Sequence, residues 1–356
     1  MKRSLFIFIT VVSLALSAQT VRPVKDDVGF CWNREGFSRL ISYLDRQLRP
    51  PTAKTDPIIA GVSPHDDHLY AGAVYNRLFR DIHAREAVIF GVTHKTVRDK
   101  IGDPNGVLIL DEFVLWPGLE KPVPVSPLRD HIRQHLDPAA FIVSNPAHEL
   151  EHSIEALLPF LQYYNPEIRI TPIMVTAMPF ERMEDVAGKI AVVIEAYMTE
   201  NRLTLGSDIV FLVSADGEHY GRDFNNTPYG EDTAAHDRAV TRDQNRVTTY
   251  LTGPLQPQKL RGLTGELWGK TYLDYRDSYW CGKYSIPFGL LTVQKIVAAV
   301  SGKELQGKLL AFADTYSDEV IPVRQIGCGL TAVFSLKHWV SFFSLAYRHD
   351  TGNRAD

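Results

Sequence analysis

The stretch "IIAGVSPHDDHLYAG" (residues 58–72) carries the argument for the fold. Its first half holds Ile58, Ile59 and Val62 with small residues between them. A short apolar run without polar alternation suits a strand covered on both faces. The second half places His65, Asp66, Asp67 and His68 in four consecutive positions. The chain then enters "YAGAVYNRLFRDI", where Tyr70, Val74, Leu78 and Ile82 fall on one helical stripe. "AVIFGV" (87–92) is a second buried strand, followed at once by Thr93 and His94. Strand, loop, helix and strand in this order predict a parallel or mixed sheet with helices on its faces.

The alternation extends both ways. Upstream, Phe37, Leu40, Ile41, Leu44 and Leu48 predict a helix that Pro50-Pro51 ends. Downstream come a strand pair within 106–116, a helix over 127–136, one over 151–164, a strand at 168–175 and a helix over 182–199. "DIVFLVS" (208–214) is a third apolar strand, running straight into Ala215, Asp216, Gly217, Glu218 and His219. Helices at about 232–250, 256–267 and 286–300 and strands at 307–313 and 325–335 complete the pattern. No linker, low-complexity tract or repeat interrupts it. The expectation is a single three-layer α/β/α domain with a mixed, mostly parallel sheet.

Composition agrees with a globular chain: 356 residues, 45% hydrophobic and 22% charged, with a net charge of −4. No basic block or basic-aromatic stripe is present, which sets nucleic-acid binding aside. Residues 1–18 join a basic start (Lys2, Arg3) to an apolar run and then to Ser17 and Ala18. That order predicts a signal peptide cleaved near Ala18, with an uncleaved anchor as the alternative. No cysteine follows the run, so a bacterial lipid anchor is not expected. No later stretch holds eighteen consecutive apolar residues. The mature domain, 19–356, is therefore expected to be soluble and exported, periplasmic or extracellular, without a membrane partner. Three cysteines, Cys31, Cys281 and Cys328, leave at least one thiol outside any intramolecular disulfide.

Three buried strands thus end in groups that bind metals or transfer protons: His65, His94, and Asp216 with His219. Ligands of open α/β sheets bind beyond the carboxyl ends of the strands. Two neutral imidazoles meeting there make a divalent-metal site that wants one more anionic ligand. The bland reading is a set of hydrogen-bonded loop histidines, and its force falls when the pattern repeats at three strand ends. In "HELEHSIEALLPF", Glu151 and His152 precede an apolar helix face. They either complement the helix dipole or line the pocket and orient a metal ligand. Cys281, in "SYWCGKYSIPFG", precedes a helix that can stabilise a thiolate for ligation or nucleophilic attack. Cys328 reads as structural inside a strand, and Cys31 suggests no chemistry.

"PHDDHLYAG", "GVTH", "EHSIEALLPFL", "VSADGEHYG" and "WCGKYSIPFG", in this order, give a pattern that resembles the Memo family, also called the AmmeMemoRadiSam system protein B family. That family is similar in fold to the class III extradiol ring-cleaving dioxygenases. The resemblance spans about residues 55–335. It implies His65, His94 and Cys281 as metal ligands, with Asp216 and His219 as catalytic groups lining the same site. Cys281 would stand where the ring-cleaving relatives carry a carboxylate, which favours iron or copper, with zinc admitted. Asp66, Asp67 and His68 replace the Ala-Gly-Tyr usual after Pro-His, and Lys283 replaces a common Arg. These three are expected to line the pocket mouth, with helix capping as the alternative for Asp66 or Asp67. The leading function is a metal-dependent, dioxygenase-like oxidoreductase acting on a small-molecule or peptide ligand. The alternatives are a non-catalytic binding module in the same crevice and a hydrolase with Cys281 as nucleophile and His219 or His152 as base.

Overall fold

The computed structural model describes residues 20–47 and 56–350. The expected signal peptide and the Pro50-Pro51 stop lie outside the described residues. Chain order runs from α1 (Arg34–Gln47) through β1 (Ala60–Ser63), α2 (His68–Phe79), β2 (Glu86–Val92) and α3 (Lys95–Ile101). A less regular middle follows: β3 (Leu108–Leu110), β4 (Leu115–Trp116), β5 (Val123–Pro124), α4 (Pro127–His135), β6 (Phe141–Val143), α5 (Asn145–Leu150) and α6 (Leu158–Tyr164). Next come β7 (Arg169–Val175), α7 (Phe180–Glu200), β8 (Ile209–Ser214), β9 (His219–Tyr220) and α8 (Thr233–Arg246). The chain closes with β10 (Gly253–Pro254), α9 (Pro257–Leu267), α10 (Ser285–Ser301), β11 (Leu305–Asp314) and β12 (Trp339–His349).

The main sheet runs β10-β11-β12-β1-β8-β2-β7-β3-β6, with β9 added to β12. Its centre, β1-β8-β2-β7, is parallel, whereas β11, β12 and β1 pair antiparallel, as do β3 and β7. Alternate side chains of the central strands enter two separate cores. Val88, Phe90, Phe211 and Val213 pack on the side of α7, α9 and α10. Ala87, Ile89, Val210 and Leu212 pack on the side of α1, α2 and α6. Helices on both faces are why these strands read as unbroken apolar runs. The fold is α/β, in three layers, with a mixed central sheet.

Register then sets the site. Ser63 lies opposite Ser214, and Phe90 opposite Val213, so β1, β8 and β2 end level at their carboxyl edge. The residues just beyond those ends are His65, Asp216 and His94.

Four predicted elements differ. The two strands expected as a pair within 106–116 do not pair with each other: β3 joins β6 and β7 in the main sheet, and β4 pairs with β5 in a separate two-stranded sheet. Residues 325–335 form no strand; they belong to an irregular connection between β11 and β12. Gln325 (φ 57°) and Gly327 (φ 80°) turn the backbone out of the extended region there. The strand is instead Trp339–His349, inserted between β11 and β1, so the sheet runs past the span of the resemblance. In "EHSIEALLPFLQYY" the helix starts only at Leu158, after a 3₁₀ turn at Glu155–Leu157, because Glu151 is extended (φ −95°, ψ 137°). The helix expected over 232–250 is α8 followed by a π turn at Val247–Leu251.

Candidate metal centre

His65, His94 and Cys281 each offer one donor atom, and these atoms lie within 4.8 Å of one another. Each comes from a different part of the sequence: the β1–α2 loop, the end of β2, and the turn before α10. Glycine permits two of the close approaches. A Cβ at Gly282 would sit 2.3 Å from that of Ala215, so the Cys281 turn could not reach the end of β8 with a side chain there. A Cβ at Gly91 would meet Ile154 at 2.5 Å and Ser153 at 2.9 Å, displacing the segment that carries Glu151.

Partners behind the imidazoles fix which nitrogen faces the cavity. The Ser214 hydroxyl donates to the Ser153 carbonyl (2.6 Å), so it accepts from His65 Nδ1 at 2.9 Å. His65 Nε2 therefore carries a lone pair, 3.5 Å from Cys281 Sγ and 3.3 Å from Asp216 Oδ2. His94 Nδ1 donates to Glu151 Oε1 (2.8 Å), and the His94 amide donates to Oε2 (3.0 Å). Its Nε2 is likewise left for a ligand. Rings of His65 and His94 sit 5.2 Å apart, and His152 stacks on His94 at 4.8 Å.

Charge follows the same layout. Burial, then His94 and His152, holds His65 well below the usual imidazole value. Burial acts in the same direction on His94, but the Glu151 carboxylate outweighs it and holds that imidazole above its ordinary value. Burial opposes the charge on Glu151, yet His94 and His152 keep its carboxyl well below the usual range. Burial, with Asp216 next, pushes the Cys281 thiol well up. A bound cation would reverse that preference, because a coordinating thiol is deprotonated.

Asp216 Oδ1 accepts from the His65 amide at 2.9 Å, and the Asp216 amide donates to Cys281 Sγ at 3.1 Å. Burial raises its carboxyl to about 7. His219 donates from Nδ1 to the Gly217 carbonyl (3.1 Å), and burial lowers its imidazole to about 4. Asp216, His219 and Cys281 form a second cluster of donor atoms within 4.8 Å, as do His94, Glu151 and His152. A cavity of about 420 Å³ opens onto all of these except Glu151, walled by Phe30, Phe224, Tyr279, Phe334 and His338.

Two expected pocket residues are elsewhere. His68 is fully buried away from the cavity, accepting from the Cys31 amide at Nδ1 (3.1 Å) and bonding the Ala156 carbonyl at Nε2 (2.9 Å). Phe30, Phe37, Tyr75 and Phe160 surround it, so it serves the core beneath α2. Glu151 lies behind His94 and turns its ring. Asp66 and Asp67 do line the cavity. Asp67 sits at the N-cap of α2, but its side chain makes no cap bond. It reaches instead to the Thr331 amide (2.6 Å) and hydroxyl (3.1 Å), in a connection far along the chain.

Sequence reasoning missed Ser214, Glu218 and the aromatic walls. Glu218 accepts from the Tyr279 amide (3.0 Å) and Ser278 hydroxyl (2.5 Å), and pairs with Arg246 at 3.3 Å. Asp243 accepts from Trp280 Nε1 at 2.5 Å. Together they hold the strip carrying Cys281 against the strip carrying His219. The serine ending "FLVS" was the one available signal for Ser214. Ser214→Ala should weaken metal binding by roughly 10- to 100-fold without unfolding the protein, because it frees His65 to rotate or change tautomer. Metal titration of the folded variant checks this.

With this geometry in place, comparison identifies the class. The chain belongs to the Memo-like protein family, whose pattern matches residues 32–252. A MEMO1 family protein of Thermococcus kodakarensis is 29% identical over 184 residues, 48% of this chain and 56% of its own length. One from Archaeoglobus fulgidus is 29% identical over 172 residues, 47% of this chain and 58% of its own. The chain thus spans little more than half the length of these relatives. A MEMO1 family protein of Desulfurococcus amylolyticus is 27% identical over 282 residues, 76% of this chain and 83% of its own. Among solved structures, an uncharacterized protein from Escherichia coli K12 aligns with a TM-score of 0.44 at 14% identity, covering 82% of this chain and 99% of that one.

Proposed function

We propose that this protein is a metal-dependent redox enzyme of an exported compartment, acting on a small molecule. The observation that carries the reading is the pair of imidazoles whose Nδ1 atoms are engaged by Ser214 and Glu151, leaving both Nε2 atoms free, with one donor nitrogen of each ring within 4.8 Å of Cys281 Sγ. Two imidazoles and one thiolate form a donor set suited to iron or copper, and zinc also accepts it. When bound, such an ion would supply Lewis acidity and, for iron or copper, electron transfer.

The chain's own residues supply the rest. Asp216, at about 7, can hold or release a proton near neutral pH, and neutral His219 can accept one. The aromatic walls seat an apolar body, while Asp66 and Asp67 line its polar end. A cavity of about 420 Å³ suits a small ligand.

Elemental analysis of protein purified from its native compartment tests the proposal. About one iron or copper per chain is expected; protein that is metal-free and stays so on titration would refute it. Asp216→Asn and His219→Ala should each retain most of the metal and lose about 100-fold or more of any turnover. Loss of metal from both would make them ligands instead. Export carries its own expectation: intact mass of native protein should begin near residue 19, and a mass retaining residues 1–18 in a soluble cytoplasmic pool would exclude it.

A second reading rests on the 3.5 Å contact between Cys281 Sγ and His65 Nε2, which also fits a thiol nucleophile and its base. Metal content separates the two, since ligation would silence the nucleophile.

A further inference from the structure

The cavity has two walls that lie outside the parallel centre of the sheet. One is the N-terminal segment, which contributes Asp26 and Phe30; the other is the β11–β12 connection, which contributes Thr331, Ala332 and Phe334. Hydrogen bonds stitch them together. The Gly329 amide donates to the Val28 carbonyl at 2.7 Å, and the Cys31 thiol donates to the Ile326 carbonyl at 2.7 Å. Arg39 Nη2 donates to the Gln325 carbonyl at 2.9 Å. Packing is close as well: a Cβ on Gly36 would lie 2.2 Å from the Ile326 carbonyl oxygen.

Two thiols meet on this seam. Cys31 is fully buried and Cys328 partly exposed, and they sit on facing segments of one apolar cluster: the Cys31 thiol bonds the carbonyl of Ile326, two residues before Cys328, while Gly329, the residue after it, bonds Val28. Cys281 is occupied elsewhere, facing His65 and Asp216. All three are free thiols among the described residues. The partly exposed member, Cys328, is the one a disulfide reagent meets first, and the facing Cys31 is the thiol that would resolve the mixed disulfide.

We infer that Cys31 and Cys328 are a disulfide-forming pair that covalently joins the two cavity walls under oxidising conditions, leaving Cys281 as the unpaired thiol. With oxidised glutathione as the oxidant, the Cys328 thiolate attacks one glutathione sulfur. One glutathione thiolate leaves, and Cys328 carries the mixed disulfide. The Cys31 thiolate then attacks the Cys328 sulfur and expels the second glutathione. Two protein thiols lose two electrons and two protons, and one oxidised glutathione becomes two reduced molecules. The neighbouring Cys31, and then burial, push the Cys328 thiol up, so exchange is slow at neutral pH and faster in mild alkali.

The full-length protein, incubated with oxidised glutathione at about pH 8, is alkylated after unfolding, digested and mapped by mass spectrometry. A Cys31–Cys328 linked peptide with alkylated Cys281 is expected. The oxidised protein should melt roughly 5 °C or more above the dithiothreitol-treated one, because the link closes nearly the whole chain into a loop. Cys31→Ser and Cys328→Ser should each abolish that difference. A stable glutathione adduct on Cys328 with Cys31 alkylated, alkylation of all three cysteines, or a link to Cys281 would each overturn the inference. If a serine variant fails to fold, the wild-type peptide map alone decides. The test needs no bound metal, so its outcome is separate from that of the proposed redox function.

Discussion

Replacing His65, His94 or Cys281 by alanine is expected to weaken binding of the proposed metal by more than about 100-fold, exceeding the roughly 10- to 100-fold cost of losing a supporting partner such as Ser214. Each side chain supplies one of three donor atoms that lie within 4.8 Å of one another, and two donors no longer close the set. Compensation from nearby is poor. Asp216 already accepts from the His65 amide, and Glu151 accepts from the amides of His152 and Ser153 at 2.9 Å as well as from His94. Glu151 cannot swing inward without stranding buried donors, and Asp216 has only Oδ2 uncommitted, so it replaces a lost donor at most in part. Ligation replaces the proton on Cys281, so binding to wild type should tighten as pH rises, and Cys281→Ala should flatten that slope. Titration of iron and copper into each variant, with circular dichroism to establish folding, gives the result. A folded Cys281→Ala protein with wild-type affinity would remove the thiolate from the site.

The second large effect is structural. Arg22→Ala or Glu155→Ala should each cost about 3–5 kcal/mol, read by urea unfolding. Both side chains are fully buried and paired. Arg22 also donates from Nε to the His148 carbonyl (2.8 Å) and bonds the Glu151 carbonyl, with its guanidinium 4.5 Å from the Trp116 ring centre. Glu155 accepts from the amides of Lys25 (3.0 Å) and Asp26 (2.7 Å). Burial pushes the Glu155 carboxyl up even with Arg22 beside it, so the charges are held at a desolvation cost. Removing either partner leaves the other charge buried alone. The double variant should lose less than the sum of the singles, because neither charge is then orphaned, while the Lys25 and Asp26 amides still lack their acceptor. This network fastens residues 22–26 beside Glu151, so metal affinity should fall along with stability.

Little of that network was legible beforehand. Arg22 sits in an aperiodic segment, and "EHSIE" was read as a helix start when Glu151 and Glu155 are in fact anchors on an extended segment and a 3₁₀ turn. The cavity walls were equally hidden. Phe30 and His338 lie in connections without helical or strand period, Phe334 lies in the stretch expected as a strand, and apolar residues in such segments look the same whether they fill a core or face a ligand. Predicting a strand over 325–335 followed from its apolar composition, and the turn at Gln325 and Gly327 overrode it.

The sequence by itself determined the central strands, their covered faces and the polar residues at their ends. These follow from periodicity and hydrophobic burial over a few consecutive residues, which act locally. The tertiary structure alone decided which of four adjacent ionisable residues serve the site. His65 points to Cys281, Asp67 crosses to Thr331, and His68 turns into an aromatic core. That division depends on the level register of β1, β8 and β2 and on partners dozens to hundreds of residues away. The same holds for the tautomers: Ser214 and Glu151 set them through hydrogen bonds that exist only once the sheet has closed and the loops are packed on its edge.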